Sequence, residues 1–428
     1  MKILLLGSGG REHALGWKLV QSSHCTGLFI APGNAGTSQC GINVDLSPLD
    51  FEGIKEFCTR ESIGMVVVGP EEPLVRGIAD FFAADPALRT IPVIGPTAKG
   101  AQLEGSKAFS KKFMARHGIP TAAYREFSAD TFAEGIAWLQ QHSLPVVLKA
   151  DGLAAGKGVV ICHSTIEAVA EFELMLQGNK FGEAGSKVVV EEYLTGIELS
   201  VFVLTDGKHF LTLPEAKDYK RVGEGDTGPN TGGMGAVSPV PFAGGEFMKK
   251  ITDRIIIPTV KGLAEEDIDY KGFIFIGIIK VGDDPYVIEY NCRMGDPETE
   301  VVMPRLKNDL VELFLAVGTQ TLDKQAIGQE ERIACTIVAV SGGYPGSFQK
   351  GMPIAGLDKL PAGGGDSLVF HAGTRTGEDA ILTNGGRVLC VTSFAETVYE
   401  AVDKSRDVLE NIYYEGIYYR RDIGYEFL

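Results

Sequence analysis

The chain has few residues that could build a redox or metal framework: seven cysteines and seven histidines in 428 residues. Cys25, Cys40, Cys58, Cys162, Cys292, Cys335 and Cys390 include no C-x-x-C pair and no other metal spacing. That excludes zinc ribbons and dithiol redox motifs, and an odd number of thiols suits a reducing, cytoplasmic setting. Positive charge is also scarce, with 40 Lys and Arg against 56 Asp and Glu and a formal charge of −16. Nonspecific binding to nucleic acid rests on clustered cations. No nucleic-acid partner is therefore expected, and a bound phosphate has to be held by backbone amides and a few placed cations. Long apolar runs are missing too, since Met1–Leu6 is interrupted by Gly7–Glu12 far short of a signal sequence or a membrane span. A soluble protein with no membrane partner is expected.

Apolar residues (44%) and glycine (54 residues) are abundant, glycine being roughly twice its usual share of about 7%. The length allows three or four domains of about 100 to 200 residues. Residues 1–105 alternate the apolar runs Ile3–Leu6, Leu28–Ile30, Met65–Val68 and Pro92–Ile94 with helical patterns, which predicts a parallel, Rossmann-like α/β domain. Each run ends in a turn: Gly7-Ser8-Gly9-Gly10, Ala31-Pro32-Gly33-Asn34, Gly69-Pro70-Glu71 and Gly95-Pro96-Thr97. Ligands of open parallel sheets sit at the carboxyl ends of strands, so the four turns are expected to border one crevice. Residues 106–325 open with a Lys-rich helix and continue with a small flap unit, about 121–190, containing the hairpin Val146–Leu148 and Val159–Ile161. Longer strands follow at Leu199–Leu204, Phe273–Lys280 and Tyr286–Tyr290. Residues 326–428 form a small C-terminal α+β domain with Ala334–Val340, Gly386–Val391 and a helix bearing Val398, Ala401, Val402, Leu409 and Ile412. It carries no catalytic constellation.

The first glycine turn resembles a dinucleotide fingerprint, but its third glycine position is Glu12, and strand two ends without an acid for a ribose. This argues against an NAD-linked oxidoreductase; the loop reads either as a bare turn with no ligand or, fitting better, as a site for a monophosphate at the helix N-terminus. His13 has no partner at metal spacing and reads as a helix-face residue. Asp151 to Gly158 is one residue short of a P-loop and has no Ser or Thr after Lys157. It reads either as a flap whose amides, with Lys149 and Lys157, cover a polyphosphate, or as a plain hairpin turn. Glu191 to Glu198 reads as a hinge offering backbone groups and a carboxylate to a purine edge, or as a solvated acid pair. Glu289 and Asn291 alternate onto one strand face and offer two oxygens to a hard cation, with Arg293 within reach of a transferring phosphoryl group. Asp296 and Glu298 crowd the same loop, which costs repulsion unless a cation offsets it. Asp218 through Gly235 is a long, polar, glycine-rich loop of the functional kind, with Asp218, Lys220 and Asn230 as candidate substrate contacts.

In this order, the strings GSGGREHA (7–14), APGNAG (31–36), GPE (69–71), LKADGLAAGKGV (148–159), GPNTGGMGA (228–236) and EYNCRMGDPE (289–298) resemble the ATP-grasp superfamily. With SGGYPG (341–346), FHAGT (370–374) and NGGRVL (384–389), they resemble in particular the phosphoribosylamine-glycine ligase (glycinamide ribonucleotide synthetase) family over residues 1–424. The resemblance implies a multidomain ATP-grasp fold, the substrates ATP, glycine and 5-phosphoribosylamine, an Mg²⁺ or Mn²⁺ ion, and a monomer or weak homo-oligomer. It places Lys107 and Lys149 at the nucleotide phosphates under a flap that includes Gly152, Gly156, Lys157 and Gly158. Glu191 with the backbone of Glu192 and Leu194 would meet adenine, and Glu198 the ribose. Glu289 and Asn291 would hold the metal, while Arg293 and Asp296, with Lys149, would face the phosphoryl group and the amine. Gly9, Gly10, Asn34 and Glu71 would border phosphoribosylamine. One departure stands out: many relatives in the superfamily carry a further metal carboxylate on the preceding strand, and Phe273–Ile279 has none. The nearest alternative is another ATP-grasp carboxylate-amine ligase or a carboxylase of purine synthesis. A non-enzymatic nucleotide sensor is opposed by the intact Lys149, Glu289, Asn291 and Arg293.

Overall fold

The computed structural model describes residues 1–152, 158–178, 186–359 and 365–427. The apolar runs at the start of the chain form a parallel five-stranded sheet in the order Ile42–Asn43, Gly27–Pro32, Lys2–Gly7, Ile63–Val68, Val93–Ile94. Along its central strands, Leu4, Leu6, Val66 and Val68 face one core with Phe57 and Leu74, and Ile3, Leu5, Met65 and Val67 face another with Leu15 and Leu19. A strand buried on both sides has no polar face, so it reads as an unbroken apolar run.

Three of the four expected crevice turns meet. The N–H of Gly33 donates to Gly7 O (3.1 Å), that of Gly69 to Leu6 O (3.0 Å), and Asn34 Nδ2 to Ser8 O (2.8 Å). The fourth turn does something else. Gly95 N–H donates to Lys271 O (2.7 Å) and Thr97 N–H to Asp269 O (3.3 Å), so it is a joint to the strand Gly272–Val281. Glu12, which broke the dinucleotide fingerprint, folds back over the strand ends. Its Oε2 accepts from Gly9 N–H (2.6 Å), and its carboxyl group fills the space that a Cβ at Gly7 or Gly69 would need (2.5 and 2.1 Å).

A second, antiparallel sheet runs Tyr124–Ser128, Lys187–Glu192, Val146–Ala150, Val159–Cys162. The helices Phe132–Leu139 and Thr165–Leu176 pack on it around Phe127, Leu148, Phe172 and Val190. A third sheet, also antiparallel, runs Phe210–Thr212, Ile197–Thr205, Gly272–Val281, Asp284–Asn291. A fourth takes Lys217–Asp218 and Gly235–Ser238 from mid-chain and Ile333–Val340, Arg387–Ala395 and Ser367–His371 from the C-terminal part, under the helix Val398–Leu409. The segment from Asp218 to Gly235, expected as an irregular loop, therefore begins and ends in a sheet. Between those strands it forms a hairpin, Arg221–Gly223 with Thr227–Asn230. Positive φ at the adjacent Gly225 and Asp226 supplies the tight reversal. Ile412 lies beyond its expected helix but is buried in the same core. Among the described residues, no helix is long and apolar enough to cross a membrane.

Gly7 combines φ +125° with a Cβ position 2.5 Å from Glu12 Cδ. Gly7→Ala is expected to lose about 2 to 4 kcal/mol, from backbone strain plus overpacking against a buried carboxylate. Guanidinium denaturation checks this, and an unchanged midpoint would mean that Glu12 moves aside freely.

Candidate active site

The helix Lys107–Arg116 begins against Asp151 and Gly152. Ser106 Oγ caps it by accepting from Phe109 N–H (3.1 Å), and Asp151 Oδ1 accepts from Ala108 N–H (2.7 Å) and from Ser106 Oγ (3.0 Å). Lys107 and Lys111 stand one turn apart on this helix, on a shared face. Lys107 Nζ donates to Gly152 O (3.3 Å). Burial and the nearby Lys149 lower its pKa, while Glu289 pulls it the other way. Lys111 pairs with Glu191 Oε2 (3.1 Å), and Lys149 pairs with Glu191 Oε1 (3.0 Å); all three side chains are buried. Burial pushes Lys111 down to about 8, partly offset by Glu191. Glu191 is thus the common counter-ion of two lysines. Next to it, Glu192 is held at the edge strand, its N–H donating to Ala123 O (3.0 Å) and its carboxylate accepting from Ala123 N–H (2.8 Å). Leu194 follows just past the end of that strand. Gly158 O accepts from Ala150 N–H (2.8 Å), while Gly156 and Lys157 lie outside the described residues.

Lys149 also joins the two sheets. The strand Asp284–Asn291 has a bulge opposite Gly277 and Ile278, which leaves Ile288 out of the ladder. Lys149 Nζ donates to Ile288 O (3.1 Å). Beyond the bulge, Glu289 and Asn291 pair with Gly277 and Phe275, so they share one face as their spacing predicts. The Asn291 amide is oriented with its nitrogen donating to Glu104 Oε1 (3.0 Å) and to Tyr290 O (3.3 Å). Glu289 faces Lys107, Lys220 and Asp218. Lys220 pairs with Glu198 (3.0 Å), and Glu198 and Asp218 hold its pKa well above the usual lysine value. Burial raises Asp218. Asn230 stands apart, exposed at the hairpin opposite Arg221.

Arg293 leaves this strand toward the parallel sheet. Its Nη2 pairs with Glu104 Oε1 (2.7 Å) and its Nε with Glu71 Oε2 (3.3 Å). Burial would raise both acids. For Glu71, Arg293 and Arg11 outweigh it and the pKa falls; for Glu104, the more deeply buried, burial prevails and the pKa rises. Glu104 Oε2 also accepts from Cys292 N–H (2.8 Å), which fixes the turn after Asn291. Asp296 accepts from Arg11 N–H (3.3 Å) and pairs with Arg387 (3.1 Å), which also donates to Asp296 O and Gly232 O (2.7 Å each). Burial would raise Asp296, but Arg387 and Arg11 pull its pKa below the usual range.

The residues expected near the sugar phosphate are therefore tied into the fold. Gly9 N–H is held by Glu12 and Arg11 N–H by Asp296, so a phosphate at this helix end has to displace a carboxylate. Gly10 is buried against Glu300. Asn34 Nδ2 donates to His371 O (2.8 Å) as well as Ser8 O, and Asn34 Oδ1 accepts from Gly36 N–H (2.8 Å). His13 Nδ1 accepts from His371 N–H (2.8 Å), and burial pushes His13 down to about 3. It is a neutral joint between the first helix and the C-terminal part. Sequence reasoning missed Lys111, Glu104, Arg11 and Arg387. Lys111 had a signal, its four-residue spacing from Lys107; Arg387 had none, because only the tertiary fold brings it to Asp296.

Two antiparallel sheets closed on a shared lysine-carboxylate centre are the architecture of the ATP-grasp class. The biotin carboxylase domain of 2-oxoglutarate carboxylase from Hydrogenobacter thermophilus shares this fold, with TM-score 0.72 at 18% identity over 97% of this chain and 91% of that one. Family models described as phosphoribosylglycinamide synthetase match the chain three times: the N domain over residues 1–104, the ATP-grasp (A) domain over 105–299 and the C domain over 334–426. The chain belongs to the phosphoribosylglycinamide synthetase family. It is 47% identical to proteins named phosphoribosylamine-glycine ligase from Vibrio vulnificus and Escherichia coli, covering 99% of this chain and 98% of each relative. A solved structure of phosphoribosylamine-glycine ligase from Thermotoga maritima aligns with TM-score 0.84 and 35% identity, over 99% of this chain and 100% of that one.

Arg387 is the one contact of the C-terminal strand with Asp296 described above, so its removal tests whether that strand serves chemistry. Arg387→Ala is expected to slow ADP formation by about 10- to 100-fold with little change in the ATP requirement, as for loss of one preorganised charge contact. Steady-state kinetics with ATP varied checks it; wild-type turnover would reduce Arg387 to a packing role.

Proposed function

We infer that the chain joins glycine to 5-phosphoribosylamine using ATP, giving glycinamide ribonucleotide, ADP and phosphate in purine biosynthesis. The family membership and the names of the full-length relatives support this reading. The observation that carries it is Arg293, placed two residues after Asn291 and paired with both Glu71 and Glu104. It links the nucleotide side of the site to the crevice of the parallel sheet, as a reaction between an ATP-activated acid and a separately bound amine requires.

A carboxylate is a poor electrophile until one of its oxygens becomes a leaving group. In the proposed course, a glycine carboxylate oxygen attacks the γ-phosphorus, ADP leaves, and glycyl phosphate forms. The amine of phosphoribosylamine then attacks the acyl carbon, the C–O bond to phosphate breaks, and the amine gives up a proton. Lys107 and Lys149 would neutralise the nucleotide phosphates beneath a flap bounded by Gly152 and Gly158, with Glu191 holding Lys149 in place. The hinge at Glu192 and Leu194 suits adenine, and Glu198, now paired with Lys220, suits a ribose hydroxyl. Glu289 and the Asn291 oxygen fit a hard cation, Mg²⁺ or Mn²⁺, which when bound would neutralise charge on the β- and γ-phosphates. Arg293 would stabilise the transferring phosphoryl group, and Asp296 would orient the incoming amine. Asp218 and Lys220 are the remaining candidates for glycine.

The decisive assay is ADP release with glycine and freshly generated phosphoribosylamine, each omitted in turn; release that needs neither would end this reading. Glu289→Gln removes the formal charge from the cation site while keeping its shape. It is expected to lower turnover by about 10² to 10³, with part of the loss recovered at high Mg²⁺; full activity at limiting Mg²⁺ would remove the metal role. With ¹⁸O in the glycine carboxyl group, the released inorganic phosphate should carry label. Label confined to the amide product would rule out glycyl phosphate.

A further inference from the structure

Two carboxyl groups press on the first turn of the helix Gly10–Leu19. A Cβ on Gly9 would lie 3.1 Å from Asp296 Oδ2, and one on Gly10 would lie 2.3 Å from Glu300 Oε1 and 3.3 Å from Cys390 Sγ. The adjacent glycines thus leave room for both acids against bare backbone. The two acids differ in their partners. Asp296 has Arg11 N–H and Arg387. Glu300 has no solvent exposure, and its carboxyl oxygens have no nitrogen or hydroxyl donor, the Cys390 thiol beside them being a weak one. Its backbone is fixed, because Glu300 O accepts from Thr392 Oγ1 (2.8 Å), which anchors the helix Thr299–Arg305 to the strand Arg387–Ala395.

An ionised carboxylate without a donor is strongly disfavoured in a dry interior. The ionisable groups around Glu300 are Asp296 at the head of its own helix, and Arg387 and Cys390 on the strand across from it. Arg387 is committed to Asp296 and to the carbonyls of Asp296 and Gly232. Burial first, and Asp296 second, hold the Glu300 carboxyl well above the usual range, with Arg387 opposing.

We propose that Glu300 is a positioning residue: a neutral carboxyl group that leaves Asp296 the only carboxylate facing Arg387, and so keeps Asp296 charged and aimed at the incoming amine. The part concerning the amine rests on the ligase reading above. If Glu300 ionised, two negative charges would crowd one arginine. Asp296 would then take up the proton or swing away from Arg11 N–H.

The test is Glu300→Gln, which keeps the shape and can never ionise. In the unfolded chain Glu300 ionises near its ordinary value, and in the fold only well above it. The stability it contributes is therefore complete below the unfolded value and declines as pH rises through neutrality. The Gln variant should accordingly be more resistant to denaturant than the wild type at about pH 8, with the gap narrowing toward about pH 5. In steady-state assays with glycine and phosphoribosylamine, the wild type should lose turnover on the alkaline side. Glu300→Gln should keep turnover within about threefold at neutral pH and lack that alkaline limb. Should the Gln variant not fold, Glu300→Leu, neutral and of similar volume, gives the same two readouts. A stability gap that does not change with pH overturns the neutral carboxyl. An alkaline limb that persists in the variant overturns the positioning role. A wild-type protein without glycine-dependent ADP release would instead overturn the ligase reading, and the stability readout would still decide the protonation of Glu300.

Discussion

A guanidinium is stable inside a protein only where carboxylates and carbonyls take up both its charge and its donors. Arg293 meets that condition by drawing together Glu71, at the first residue of a helix after the strand Ile63–Val68, and Glu104, near the end of the helix Ala98–Gly105. Much of the centre follows from this pairing. Glu104 holds the Cys292 amide, and the nitrogen of Asn291 turns to the same carboxylate, so the orientation of the Asn291 amide is set by the partner of Arg293. Arg11 and Arg293 both approach Met294 O, which brings the first helix to the same turn. The site is a row of acids and bases in which nearly every buried charge has a counterpart.

The parts legible in the sequence are those encoded by local period or by a short spacing. Unbroken apolar runs ending in glycine turns gave the parallel sheet, and alternation put Glu289 and Asn291 on one face. The failure of the dinucleotide fingerprint at Glu12 also has a physical counterpart, since that carboxyl group fills the space over Gly7 and Gly69. What stayed hidden depends on pairing across long separations. Nothing near Gly95 in the chain marks it as a joint to Lys271, and nothing near Arg387 points to Asp296. The Asp218–Gly235 segment looked irregular because its strands are short and rich in glycine: its ends are strands through their neighbours in the fourth sheet, and the two between them pair only with each other.

The C-terminal part has a larger role than its composition suggests. It supplies three strands to a sheet begun at residues 217–238, a cation to Asp296, and the backbone that anchors Asn34 and His13. At Asn34, His13 and Asp296 its contribution is made through main-chain groups and one arginine. A search for catalytic side-chain clusters passes over such a region, because backbone donors carry no residue-type signature.

The same long pairings set an order of events during synthesis. Lys18 finds its acceptor at Leu306, 288 residues later, and His13 receives the His371 amide across 358 residues. At about 5 to 20 residues per second, the ribosome delivers that second partner roughly 20 to 70 s after the first helix emerges. Until then the helix that frames Gly9 and Gly10 has its buried polar groups open to water, and Asp296 lacks its arginine. The lysine-carboxylate pairs in the middle of the chain need no C-terminal partner, but the crevice around Gly9, Gly10 and Asp296 closes only when the last strands dock. The part of the site built from the two ends of the chain is thereby completed last, after the lysines and acids of its middle have met.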